Sequence, residues 1–174
     1  MINTKRLILR PLSPADADRI AALGGEWDVA SMTGRIPYPY STDAAQHWLT
    51  GVADGEVVFV IERGGELIGI CGYTPRGNGE AEMGYWLGKP YWAQGFATEA
   101  ARALMDFGFN KGGVRSFTCC HFTHNPASGR VLKKLGFRAT GDSTGWCEAR
   151  QEELPALTYT RRRTLTNIIK ALAS

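Results

Sequence analysis

The sequence predicts one α/β or α+β domain, a single mixed β-sheet with helices on both sides, and three observations lead there. Runs of strand length crowd the first and last thirds of the chain. One long run with helical spacing joins the two central strands. Glycine and proline clusters punctuate these runs closely enough to leave short turns and nothing resembling an interdomain linker. At 174 residues the chain is long enough to bury a real core in one domain spanning 1–174, with 164–174 a short C-terminal tail.

In order, residues 6–12 alternate Leu7 and Leu9 against Ile8 and Arg10 and close at Pro11, a first strand. Ser13-Pro14-Ala15-Asp16 opens a helix: a serine N-cap, proline at the first helical position, an acid in the first turn. It stops at Gly24-Gly25, and residues 26–32 suit a second, short helix. Residues 34–40, with prolines at 37 and 39, are irregular; Ser41 or Thr42 then caps a helix reaching about Leu49. Strands at 56–63 and 67–74 flank a hairpin connection at Gly64-Gly65-Glu66, and 76–79 is another turn. Residues 81–87 form a central strand that Lys89-Pro90 ends. From Thr98 onward Ala100, Ala101, Leu104, Met105, Gly108 and Phe109 recur at helical spacing as far as Gly112-Gly113. Residues 116–122 are the next strand, and Asn125 caps a helix ending at Gly136. Closing strands at 137–141 and 154–163 surround a loop.

Chemistry concentrates between the central strand and the long helix, at Trp92-Ala93-Gln94-Gly95-Phe96-Ala97-Thr98. Small residues at 93, 95 and 97 let the backbone turn tightly and approach a ligand closely. The helix that follows points its free N–H groups and positive dipole end at the same place, an anion site suited to a phosphate or pyrophosphate. A plain strand–helix connection has the same small-residue composition. A P-loop needs Gly-Lys-Ser/Thr, and Gly88-Lys89-Pro90 fails it; a Rossmann loop needs two further glycines and an acid near position 115, where Arg115 stands.

Composition narrows the classes. Hydrophobic content of 44% with 21% charged residues fits a globular protein, and a net charge of +3 suits an anionic small ligand better than nucleic acid. The four cysteines (71, 119, 120 and 147) have neither C-x-x-C nor metal-ligand spacing, so no metal is expected. They read as reduced thiols of a cytoplasmic protein. Lys5 and Arg6 are not followed by a signal-peptide core, and no stretch approaches the length of a membrane span. Arg161-Arg162-Arg163 reads as a solvated face before a nucleic-acid patch.

The segment WAQGFATEAARALMDFGF, following EMGYWL, resembles the acyl-coenzyme A loop and helix of the GNAT superfamily of N-acetyltransferases. Gly95 and Ala97 match that pattern; Trp92 stands where arginine or glutamine is usual, as it often does in the branch resembling ribosomal-protein N-terminal acetyltransferases. His124-Asn125-Pro126-Ala127-Ser128 through Leu135-Gly136-Phe137 is similar to that branch's N-P-x-S…L-x-x-L-G-F segment. The resemblance implies a mostly antiparallel sheet whose strands at 81–87 and 116–122 run parallel and splay apart, admitting the pantetheine arm of acetyl-CoA as an added strand. It implies that the backbone of Ala93, Gln94, Gly95, Phe96, Ala97 and Thr98 cradles the pyrophosphate. Backbone N–H groups of Tyr85, Trp86 and Leu87 would then polarise the thioester, and Asn125 and Ser128 would reach the coenzyme. In this branch a serine often stands where others place a tyrosine acid, so Ser128 is a candidate beside the sulfur.

For the base, Glu82 is the first candidate. It sits between Ala81 and Met83 on the central strand, where alternation groups it with Gly84 and Trp86. A solvated strand end or a structural ion pair would also account for it. His47, His121 and His124 are rivals, and Cys119, Cys120 and His121 keep an acyl-enzyme in view. The expected activity is direct acetyl transfer from acetyl-CoA to a primary amine. A protein or peptide N-terminus stands first, then a small amine such as an antibiotic, polyamine or amino acid. A non-catalytic coenzyme A-binding module and a nucleic-acid binder are the rivals of other classes. The loops at 24–42 and 143–153 would choose the acceptor, through Arg35, Tyr38, Tyr40, Asp142, Trp146 and Glu148. Family members often dimerise, and no patch in the sequence decides that here.

Overall fold

The structure, a computed structural model, describes residues 1–164. The tail expected at 164–174 therefore lies, beyond Thr164, outside the described residues. Eight strands form one sheet in the order β1-β2-β3-β4-β5-β6-β8-β7. They are β1 (Ile2–Asn3), β2 (Ile8–Arg10), β3 (Val57–Arg63), β4 (Glu66–Gly77), β5 (Glu80–Leu87), β6 (Ser116–Phe122), β7 (Arg138–Cys147) and β8 (Glu152–Arg162). The helices are α1 (Ala17–Gly24), α2 (Trp27–Ala30), α3 (Thr42–Thr50), α4 (Phe96–Asn110) and α5 (Pro126–Lys134). All pairings are antiparallel except β5 with β6.

Strand alternation divides the core. Ala81, Met83 and Leu87 of β5 and Phe117 and Cys119 of β6 pack under α4, whose Ala100, Ala101, Leu104, Met105 and Phe109 are buried at the predicted helical spacing. The other face carries Val60, Ile70 and Trp86 against α1 and α3. Ser13 is the expected N-cap and completes a capping box with Asp16 before α1, and Asp16 is gripped by Arg10 through two bonds of 2.9 and 2.7 Å.

Four boundaries differ from expectation. The first strand is only Ile8–Arg10, because Thr4 turns the chain back: its N–H donates to the Leu7 carbonyl (2.9 Å) and its hydroxyl accepts from the Leu7 N–H (2.9 Å). That turn lets Ile2–Asn3 pair with β2 as an unforeseen edge strand. β4 runs past Thr74 to Gly77 through a register shift at Pro75/Gly77. Helix α4 begins at Phe96, two residues early. The expected loop at 143–153 is mostly strand. β7 continues to Cys147, and the turn is only Glu148–Gln151 before β8. As the sheet's outermost strand, β7 is exposed on both faces along most of its length, so its sequence carries no apolar alternation to read.

One feature positions the site. β5 and β6 pair over just three positions, Glu80 with Ser116, Ala81 with Phe117 and Glu82 with Thr118. Beyond them β5 stays on β4 up to Leu87 and β6 stays on β8 up to Phe122. The two central strands therefore diverge from Met83 and Cys119 onward. The splay that the family resemblance implied is present.

Candidate active site

A diverging strand leaves one row of backbone groups without a ladder. The Gly88 N–H donates to the Ile68 carbonyl of β4 (2.9 Å), in register with Ile70 opposite Trp86. Alternation along the strand then turns the amides of Glu82, Gly84 and Trp86 toward β4 and those of Met83, Tyr85 and Leu87 toward the wedge. This narrows the expected trio: Tyr85 and Leu87 present their N–H groups to the opening, whereas Trp86's lies in the ladder. The Trp86 ring instead packs beside Ile36 and Tyr40 on the opposite face. Trp92, in the place of the usual arginine or glutamine, donates its indole N–H to the Leu87 carbonyl (2.7 Å) and ties the following loop to the strand end.

The loop is shaped as a cradle. Ala93 has φ +58° and Gly95 φ +82°, so the chain reverses twice before α4 begins. The first intrahelical bond is that of the Glu99 N–H to the Gly95 carbonyl (3.1 Å), which leaves the amides of Phe96, Ala97 and Thr98 ahead of the helical ladder. Gln94's side chain folds back to donate to the Pro90 carbonyl (2.9 Å), and the Phe96 ring is buried, so these two residues offer backbone alone. Burial pushes the Glu99 carboxyl up, but hydrogen bonds from Thr4 and Arg6 outweigh it and hold the group below its ordinary range. An open cleft of about 600 Å³ runs along α4 from Gly95 and Thr98 past Arg102 to Lys134.

On the α5 side of the wedge, Asn125 Oδ1 accepts from the Ser128 N–H (3.2 Å), the cap the sequence called for. Ser128 Oγ and the Tyr85 hydroxyl share a hydrogen bond of 2.9 Å. Burial raises the Tyr85 phenol, the neighbouring Cys119 adds to that, and the bond from Ser128 only partly offsets it. The pair is thus a neutral hydroxyl couple. The Tyr85 side chain is a candidate that sequence reasoning missed, having used that residue for its backbone. Its shared parity with Met83 and Leu87 was the available signal.

The opposite face holds Glu82 as expected. Arg76, the extra residue at the β4 register shift, donates through Nε (3.0 Å) and Nη2 to the single oxygen Oε2. The ion-pair alternative is therefore part of the geometry, with Oε1 outside it. A side chain at Gly84 would meet nothing within 4 Å, so the sheet is uncovered beside Glu82. Glu56 accepts from Thr74 (2.9 Å) and faces Arg35 (3.5 Å) on the same flank. Of the acceptor-loop residues the sequence singled out, Tyr38 and Trp146 carry exposed rings, and Tyr38 stands edge-on to exposed Trp27.

The rivals are placed elsewhere. His121 is buried under α5; its Nδ1–H donates to the Phe122 carbonyl (2.8 Å), which leaves Nε2 to accept from the Tyr159 hydroxyl (3.3 Å). His124 stacks on Phe122 and donates through Nε2 to the Ser31 carbonyl (3.1 Å). His47 is exposed on α3. Burial pushes both the Cys119 and Cys120 thiols up, and the two point to opposite faces, so no thiolate–imidazole pair forms. Among the described residues no three His, Cys, Asp or Glu side chains cluster to hold a metal, and no helix is long and apolar enough to cross a membrane.

The family model described as the Acetyltransferase (GNAT) domain matches residues 6–138, which include the splayed strands, the cradle and α5. The chain belongs to the GNAT family. Among its GNAT relatives, the uncharacterised N-acetyltransferase p20 of Bacillus licheniformis is 31% identical over 152 residues, covering 80% of this chain and 83% of the relative. The ribosomal-protein-serine acetyltransferase of Escherichia coli is 33% identical over 87 residues, 48% of each chain. Among solved structures, the fold is shared with the RimL ribosomal L7/L12 alpha-N-protein acetyltransferase in complex with coenzyme A. Its TM-score is 0.80 at 19% identity, covering 91% of this chain and 95% of that one. It is also shared with the microcin C7 self-immunity acetyltransferase MccE in complex with acetyl-CoA and AMP, at TM-score 0.81 and 14% identity over 92% of this chain and 94% of that one. This GNAT chain is an acetyl-CoA-dependent N-acetyltransferase.

Proposed function

We propose that the protein moves the acetyl group of acetyl-CoA directly to a primary amine, a protein or peptide N-terminal α-amine ahead of small amines. The observation that carries this is a wedge with two differently equipped sides. Unladdered amides and the Tyr85–Ser128 couple lie on the α4/α5 side, and Glu82 lies beside uncovered Gly84 on the other. The residues fit the coenzyme: the amides of Gly95 to Thr98 suit its pyrophosphate and Asn125 its pantetheine. The N–H groups of Tyr85 and Leu87 stabilise charge developing on the thioester oxygen. Glu82, through Oε1 and an intervening water, takes the proton the amine loses as its C–N bond forms. As the C–S bond breaks, the Tyr85–Ser128 couple supplies a hydrogen bond, and Tyr85 a proton, to the departing thiolate.

The α-amine preference follows from basicity. An unperturbed α-amine has a pKa near ~8 against ~10.4 for lysine, so a carboxylate acting through water deprotonates it more readily. Similarity to a ribosomal-protein-serine acetyltransferase supports the same acceptor class. Four unpaired cysteines support a cytoplasmic setting. The test compares thiol release on a lysine-free peptide with a free N-terminus, its N-blocked lysine-containing partner, and polyamine or aminoglycoside acceptors. Faster turnover of the free-terminus peptide is expected. Turnover confined to small amines overturns the peptide preference, and coenzyme binding without turnover on any amine makes the chain a non-catalytic module.

A further inference from the structure

Residues at the very start of the chain reach the coenzyme cradle. The Thr4 hydroxyl and the Arg6 backbone N–H donate to Glu99 Oε1 (2.7 and 2.8 Å), and Arg6 Nε donates to Oε2 (2.7 Å). Arg6 Nη1 donates to the Gln94 carbonyl (3.0 Å), and its guanidinium lies 4.5 Å over the Phe96 ring, which Arg63 also faces at 4.9 Å. Arg6 Nη2 borders Gly95, 3.4 Å from where a side chain there would begin. One guanidinium thus lies against four residues of the turn and helix start: Gln94, Gly95, Phe96 and Glu99.

Glu99 makes this arrangement necessary. It lies in the first turn of α4, where a carboxylate favours the helix dipole but opposes an incoming pyrophosphate. Its side chain is only 17% exposed, so water screens it poorly and a protein cation must compensate it. Resting on the acetyl-CoA reading above, we propose that Arg6 is a positioning residue for the coenzyme: it cancels the Glu99 charge at the helix end that receives the pyrophosphate. Arg6 also fixes the carbonyl of Gln94, which orients the amides following it. The sequence hid this role, since Arg6 reads as the polar start of a strand ninety-three positions away from its partner.

The test measures acetyl-CoA affinity by calorimetry, with KM and kcat alongside, on the full chain. Arg6→Gln is expected to weaken coenzyme binding roughly ten- to hundred-fold, the scale of one charge-assisted contact, raising KM while leaving kcat at saturating coenzyme within about two-fold. Arg6→Lys keeps the charge and should stay within a few-fold of the parent. The decisive variant is Arg6→Gln/Glu99→Gln, in which the uncompensated carboxylate is gone and most of the affinity returns. A merely structural staple predicts the opposite, a double variant no better than Arg6→Gln, and that result overturns the proposal. So does parent-like affinity in Arg6→Gln. If Arg6→Gln fails to fold, Arg6→Lys against Glu99→Gln decides: looser coenzyme binding in Glu99→Gln than in the parent refutes charge compensation. Failure of the parent to bind acetyl-CoA would instead remove the functional reading itself.

Discussion

Gly95→Val probes the cradle directly. At φ +82° a side chain at position 95 sits in the left-handed region, and its nearest neighbour would be Arg6 Nη2 at 3.4 Å, an ordinary contact. At the Cβ, crowding by the protein is therefore slight, and backbone conformation is the first obstacle. An L-residue in that region costs about 1–2 kcal/mol, and a β-branched one lies at the upper end or beyond. The strain has two outlets. If the loop keeps its shape, the cost falls on stability, and in a domain of this size it lowers the thermal midpoint by about 2–8 °C. If the loop relaxes, the Gly95 and Phe96 amides rotate away and the same energy appears as roughly a five- to thirty-fold loss of acetyl-CoA affinity. Calorimetry and thermal unfolding on one preparation should show the two losses trading against each other. Gly95→Asn, which tolerates this conformation, should recover most of both. A valine variant with the parent's midpoint and the parent's coenzyme affinity would refute the reasoning.

Other expectations concern the remaining machinery. Glu82→Gln should lower kcat by about 10²–10⁴ with coenzyme affinity unchanged, and an unaltered rate across pH would move the proton to another acceptor. Tyr85→Phe should slow turnover more than Ser128→Ala, because the proposed mechanism takes the proton from the tyrosine and leaves the serine to hold it; the reverse order of rates would dismiss that division. Asn125→Ala should cost about 1 kcal/mol of stability through the lost α5 cap and weaken coenzyme binding too, so intact affinity would leave the residue a cap alone. Hydrogen bonds from Arg10, opposed by burial and helped by the Ser13 N–H, hold Asp16 below the usual aspartate range. Its contribution is complete above the unfolded-state value and is lost as pH falls through the lower folded one. The thermal midpoint should accordingly drop in acid, and Asp16→Asn should flatten that slope.

How much of this was legible varied with the kind of signal. Elements that bury one face announced themselves: α4 through Ala100, Ala101, Leu104 and Met105, and α5 through its Asn125 cap and Gly136 stop. The cradle was readable because Gly95 and the small residues beside it are a backbone requirement visible as composition. The edge hairpin was not, since β7 buries almost nothing and Cys147 alone along it is fully covered. Nor were contacts that depend on tertiary approach. Arg76 reaches Glu82 only because the strand shifts register at Pro75/Gly77, and Tyr85 meets Ser128 across 43 positions of chain. Trp92 was noticed as a departure from pattern, but its reason, a bond to the Leu87 carbonyl, belongs to the folded strand end.

The three-position seam between β5 and β6 has a mechanical meaning. On one side β1 to β5 follow one another as neighbours in a meander; on the other β6, β8 and β7 form a second leaf. Within the sheet, among the described residues, that short parallel run alone joins the leaves; outside it the α4 crossover and bonds such as that of the Glu148 N–H to the Gly34 carbonyl hold them together. A ligand seated in the gap closes the spine of a half-opened book and carries load between its covers. Amides at Glu80–Glu82 and Ser116–Thr118 are where loosening would begin, and a pantetheine arm along Tyr85 and Leu87 would quiet them from a distance. On the proposed reading, coenzyme binding and cohesion meet in the same few residues, and substitutions that widen the gap would weaken both at once.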